Sequence, residues 1–111
     1  MNKNSNIGFI GLGNMGKPIF DHLNKKFSNI FCFDQDTSKL KKNNFSSSLI
    51  EIFEKCKIII FCIESNEQII DIIKENTIKK NTIVIDLTSS LPELTKIISS
   101  YLKEFESYYV D

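Results

Sequence analysis

The sequence predicts an α/β fold, a doubly wound parallel sheet of about six strands with helices on both faces. Two observations lead there. Short runs such as Ile7–Ile10 and Lys57–Ile63 are apolar almost throughout, as strands are when both faces of a parallel sheet are covered. Between such runs stand stretches with apolar residues at helical spacing, and strands alternating with helices build βαβ units.

Each element has its own reason. Ile7–Ile10 is a strand that ends in a cluster of glycines, and Lys17-Pro18 then opens a helix, with the proline near the first turn, where a missing N–H costs nothing. Met15, Ile19 and Leu23 recur at spacing four along that helix, which ends near Lys26. Asn29–Asp34 is a second strand stopped by an acid, and Asp36-Thr-Ser-Lys39 opens a short polar helix. Phe45 marks a short third strand, with 41–44 before it reading as solvated loop.

Ser48-Leu-Ile-Glu51 has the spacing of a capping box, in which hydroxyl and carboxylate satisfy each other's backbone N–H groups, and predicts a helix to about Lys55. Lys57–Ile63 is the fourth strand and 66–75 a helix with Ile69, Ile70, Ile72 and Ile73 inward. Thr82–Leu87 is the fifth strand. Pro92 then opens a helix carrying Leu94, Ile97, Ile98 and Leu102, and Ser107–Val110 is the sixth strand.

Composition narrows the function classes. The 111 residues carry 14 Lys against 14 acids, with no Arg, and are 41% apolar. A chain without excess positive charge lacks the footprint of a nucleic-acid or anionic-membrane binder. No apolar run approaches the ~20 residues that span a bilayer, and no apolar leader core precedes the first strand. Nineteen Ile, 14 Lys and 11 Asn reflect AT-rich coding, not function. Cys32, Cys56 and Cys62 form no metal-binding spacing; Cys32 and Cys62, inside apolar runs, read as core thiols. The expected setting is reducing and cytoplasmic, with an organelle left open.

All four glycines, Gly8, Gly11, Gly13 and Gly16, fall within nine residues. Gly11-Leu12-Gly13-Asn14-Met15-Gly16 is a GxGxxG turn placed between a strand and a helix, where it binds dinucleotides. The first glycine allows the tight turn, the second lets a pyrophosphate approach the backbone, and the third lets helix pack on strand. Asp34, eighteen residues past Gly16, ends the second strand where an acid accepts hydrogen bonds from the adenosine ribose; equally, an acid there can simply end a strand. With Asp34 and Asp36 near the ribose 2′ position and no Arg to take a phosphate, NAD is expected over NADP, although Lys39 reaches the same region.

These residues also carry a family resemblance. Ile7–Pro18, with Met15 and Pro18, resembles the opening signature of the β-hydroxyacid dehydrogenases, which include 3-hydroxyisobutyrate and 6-phosphogluconate dehydrogenases and bind NAD(P) on a Rossmann-type domain. Cys62-Ile-Glu-Ser65, where Glu64 stands in place of a usual proline, and Ile85-Asp-Leu-Thr-Ser89 with Pro92 continue the likeness over essentially the whole chain. The resemblance implies that Asn14 and Met15 lie along the pyrophosphate, Ile63 against the adenosine ribose, and Ser89 near the nicotinamide ribose. The hydroxyls of Thr88, Ser89 and Ser90 also stand where they can cap the Pro92 helix.

Tyr108-Tyr-Val-Asp111 resembles the strand that in this family leads into the substrate-binding Ser-Gly-Gly segment, with the catalytic lysine later still. Residues 1–111 are thus expected to be a cofactor-binding domain without the helical substrate domain, able to bind and not to turn over. His22, on the first helix, is expected to be a surface residue. The alternatives are a self-standing NAD(H)-binding module that pairs with itself or another chain through its exposed last strand, or a relic that keeps the fold alone.

Overall fold

The computed structural model describes residues 5–40 and 46–111. Five parallel strands, β1 (Ile7–Ile10), β2 (Ile30–Phe33), β3 (Ile58–Phe61), β4 (Ile83–Asp86) and β5 (Tyr108–Val110), stand in the order β2-β1-β3-β4-β5. Helices α1 (Gly16–Asn24), α2 (Leu49–Lys55), α3 (Asn66–Glu75) and α4 (Pro92–Glu104) connect them, with a 3-10 turn at Thr37–Lys39. The chain steps from β1 outward to β2, then returns across β1 to β3. The sheet therefore reverses direction beside β1, where ligands of such folds bind.

The expected short third strand is not among these five, and the expected sixth, Ser107–Val110, is β5. Phe45, on which the third was centred, lies outside the described residues, as does the 41–44 loop. What the structure shows is one parallel bridge between Ser46 and Cys32, with the Ser47 N–H donating to the Cys32 carbonyl at 2.9 Å. This contact sits on the outer side of β2, where a third strand in chain order would add.

β1 and β3 are buried along their whole length because both their faces are covered. On one face, Ile52 and Phe53 of α2, Ile69 and Ile73 of α3, and Ile98 and Leu102 of α4 pack on alternate strand residues including Ile59 and Phe61. The other face is covered by α1, whose Phe20 meets Phe9 edge-on with ring centroids 5.9 Å apart. Coverage there is uneven: Tyr108 and Val110, in register with Ile83 and Ile85, are more than half exposed.

Three local expectations need correction. Ile97 faces solvent, while Ile98 and Leu102 are buried; at about 100° per residue, Ile97 falls past the edge of the stripe that α4 turns to the sheet. The Ser48 hydroxyl does cap α2 by accepting the Glu51 N–H at 3.1 Å. The Glu51 carboxylate, however, turns to the Ser47 hydroxyl and to Lys55 Nζ, which hold it below the usual carboxylate range. Cys62 is only half-buried, whereas Cys56 is buried along with Cys32.

Candidate cofactor site

The carboxyl ends of the strands open onto a crevice of about 1010 Å³. Its floor is the turn that leaves β1. Gly11 holds φ at +108°, a conformation L side chains rarely adopt, and a Cβ there would stand 2.1 Å from the Cys62 carbonyl oxygen. Only glycine meets both demands. Gly13 differs: a Cβ on it would meet nothing within 4 Å, so its backbone faces open space. From Gly16 onward α1 begins with no side-chain cap, leaving N–H groups and the positive end of the helix dipole toward the crevice.

Asp34 is fixed beside this turn. Its Oδ2 accepts the Leu12 N–H at 2.6 Å and its Oδ1 the Asp36 N–H at 2.8 Å. The acid thus joins the glycine turn to the segment after β2. A carboxylate has about four acceptor positions, so two bonds leave it able to accept more from a ligand hydroxyl.

The opposite wall comes from the segments after β3 and β4. Ile63 and Glu64 follow β3, ahead of Ser65, whose hydroxyl caps α3 by accepting the Gln68 N–H. Leu87, Thr88 and Ser89 follow β4 and also line the crevice. The capping expected of Thr88, Ser89 or Ser90 does not occur. The α4 N-cap is Leu91, without a side-chain cap; Thr88 Oγ1 instead accepts the Ile63 N–H at 3.2 Å, and Ser90 Oγ donates to the Thr88 carbonyl. Thr88 is buried, and its hydroxyl is taken by the Ile63 N–H instead of by the helix end.

Of the positions singled out from the sequence, Gly11, Gly13, Asn14, Met15, Gly16, Asp34, Ile63 and Ser89 all line this one crevice. Leu12 does not, since its side chain is buried and only its N–H takes part, through Asp34. His22 is exposed on α1, away from the crevice. Leu49, Gln68 and Ile72 line the crevice too, although nothing in their spacing distinguishes them from ordinary helix residues. Among the described lining residues Lys39 is the only cation, against the carboxylates of Asp34, Asp36, Glu64, Asp71 and Glu75.

Two further groups border the site. The Cys62 thiol is raised above its ordinary value by burial and then by Asp86, which keeps it protonated. Tyr109 is raised well above an ordinary phenol, first by burial and then by its hydrogen bond to Asp86. No grouping of three or more metal-ligating side chains occurs among the described residues, and no helix among them is long and apolar enough to cross a membrane.

A family model described as the NAD binding domain of 6-phosphogluconate dehydrogenase matches residues 6–111. Mitochondrial 3-hydroxyisobutyrate dehydrogenase of Mus musculus is 27% identical over 115 residues, covering 95% of this chain and 34% of its own length. The solved structure of Mycobacterium tuberculosis 3-hydroxyisobutyrate dehydrogenase with L-serine superposes with a TM-score of 0.87 at 17% identity, over 96% of this chain and 39% of that one. A reductive aminase from Aspergillus terreus, in complex with NADPH and ethyl levulinate, gives 0.85 at 13% identity, over 96% and 39%. The chain therefore spans between a third and two-fifths of the length of these relatives.

Proposed function

Because the chain belongs to the family of the NAD binding domain of 6-phosphogluconate dehydrogenase, we propose that it binds NAD(H) in this crevice, as the cofactor-binding part of an oxidoreductase of the β-hydroxyacid dehydrogenase kind. The observation that carries the reading is the meeting, in one crevice, of the open backbone at Gly13, the anchored carboxylate of Asp34 and the segment bearing Ser89. The residues fit the ligand. Pyrophosphate lies over Gly13, Asn14 and Met15 at the α1 N-terminus, where backbone donors and the helix dipole favour anions. Asp34 accepts from the adenosine ribose, Ile63 packs against that ribose, and Ser89 serves the nicotinamide ribose.

Once bound, the nicotinamide supplies hydride chemistry; the protein's part is position and electrostatics. None of the described crevice residues is a histidine, and Lys39 lies after β2 on the adenosine side. The part proposed for these residues is to bind and orient the dinucleotide.

NAD is favoured over NADP by charge. A 2′-phosphate would sit beside Asp34 and Asp36, and like charges at close range oppose binding. Lys39, on the same turn, is the one counterweight among the described residues that line the crevice. The reductive aminase binds NADPH, but at 13% identity it bears on fold; the preference is argued from this chain's own carboxylates. Parallel titrations with NADH and NADPH, followed by cofactor fluorescence, test it. Tighter NADH binding is expected, and tighter NADPH binding overturns the preference.

A further inference from the structure

Beneath the crevice the loops after β3 and β4 are tied to one buried carboxylate. Asp86, the last residue of β4, is 3% exposed. It accepts the Thr88 N–H at 2.8 Å, Asn66 Nδ2 at 2.9 Å and the Tyr109 hydroxyl at 2.5 Å. Two of these partners pass the constraint on. Asn66 Oδ1 accepts the Leu91 N–H at 2.9 Å, fixing the start of α4, and Thr88 Oγ1 accepts the Ile63 N–H at 3.2 Å, fixing the exit of β3.

All three donors to Asp86 are neutral. A buried charge is costly and an apolar residue at such a position is often no less stable, so a carboxylate here is explained better by what it organises than by stability. What it organises is the separation between Ile63 and Ser89, the residue that follows Thr88.

We propose that Asp86 is a positioning residue for the dinucleotide, holding the segment of Ser89 at the span from Ile63 and Asp34 that a ligand reaching both ends of the crevice requires. This rests on the reading of the crevice as a dinucleotide site. Asp86 does not line the crevice; it acts through Thr88 and Asn66. Tyr109 adds the third donor and joins the end of β5 to the same point.

The test compares NADH, which spans the crevice, with AMP, which reaches only the Asp34 side. Both are titrated into the full chain as wild type, Asp86→Asn, Tyr109→Phe, and Asp86→Asn combined with Asn66→Asp. The single Asp86→Asn change puts an amide donor against donors. It is expected to weaken NADH about tenfold while AMP stays within about twofold, since misplacing a binding group acts on the ligand that uses it. Tyr109→Phe shifts the same ratio less, and the exchanged pair, which restores donor–acceptor matching at constant charge, recovers most of the NADH affinity. Equal losses for NADH and AMP, an unchanged NADH affinity, or no recovery in the exchanged pair overturns the proposal. If Asp86→Asn does not fold, Tyr109→Phe decides by the same ratio. Failure of the wild type to bind NADH overturns instead the dinucleotide reading itself.

Discussion

A Cβ on Gly16 would stand 2.1 Å from the carbonyl oxygen of Gly11, so the start of α1 is packed directly on the backbone of the turn that precedes it. The three glycines of the turn are therefore not equivalent. At Gly11 and Gly16 an alanine meets main chain, which cannot move aside without disturbing β1 and β3; at Gly13 it meets open space.

Alanine substitutions should separate these roles. Gly11→Ala and Gly16→Ala are expected to destabilise the fold by about 3 kcal/mol, seen as a lower urea midpoint. Gly13→Ala should change stability by less than about 1 kcal/mol yet weaken NADH about tenfold or more, because its methyl group would project into the space proposed for the pyrophosphate. Unimpaired binding in Gly13→Ala would remove the phosphate from that turn.

Asp34 holds the Leu12 and Asp36 N–H groups and is the residue proposed to accept from the ribose, so its substitution should register in both stability and binding. Asp34→Asn keeps the shape but turns one oxygen into a donor facing the N–H of Leu12 or Asp36, at a cost of about 1–2 kcal/mol. NADH affinity should fall more than NADPH affinity, since the variant loses an acceptor for the ribose and also a charge that repels a 2′-phosphate. An unaltered ratio of the two affinities would count against Asp34 as the selecting residue.

Much of this site was legible in the sequence because its parts are local. The glycine turn is six consecutive residues, and Asp34 announces itself as the acid that ends an apolar run. The Asp86 network was not legible, because Asn66 and Tyr109 lie 20 and 23 residues away and meet only once β4 is paired with its neighbours. Thr88 illustrates the same limit: its position suited a helix cap, and a partner 25 residues distant took its hydroxyl instead. At Phe45 a single aromatic residue suggested a strand that the described residues carry no further than the Ser46 bridge.

Alkaline pH should destabilise the protein through its buried thiols. Burial pushes Cys32 up to about 11 and Cys56 up to about 12, from an ordinary 9.0. The folded state therefore keeps protons that the unfolded state releases, so stability is full below 9.0 and falls as pH rises toward those values. Tyr109, raised in the same direction, adds to the loss at the upper end. Urea unfolding in reductant from neutral to alkaline pH should show this decline, and Cys32→Ala with Cys56→Ala should flatten it. A stability that rises across that range would contradict the burial of both thiols.

The end of α4 offers the converse case, a position where glycine is absent and would help. The Glu106 N–H donates to the Lys103 carbonyl and the Ser107 N–H to the Leu102 carbonyl, each at 3.0 Å, the paired bonds of a Schellman cap. Such a cap needs a left-handed residue, and Glu106 takes that place with φ of 55°. A non-glycine residue there costs about 1–2 kcal/mol. Glu106→Gly removes that strain, loses about 0.5–1 kcal/mol to greater freedom of the unfolded chain, and gives up the exposed Lys80 ion pair at 3.0 Å, whose worth is at the low end of about 0–1 kcal/mol. The balance is a gain of about 0.5 kcal/mol, or a rise in Tm of about 2–4 °C for a domain of this size. Thermal unfolding at neutral pH measures it directly. A lower Tm would mean that the contact with Lys80 outweighs the backbone strain.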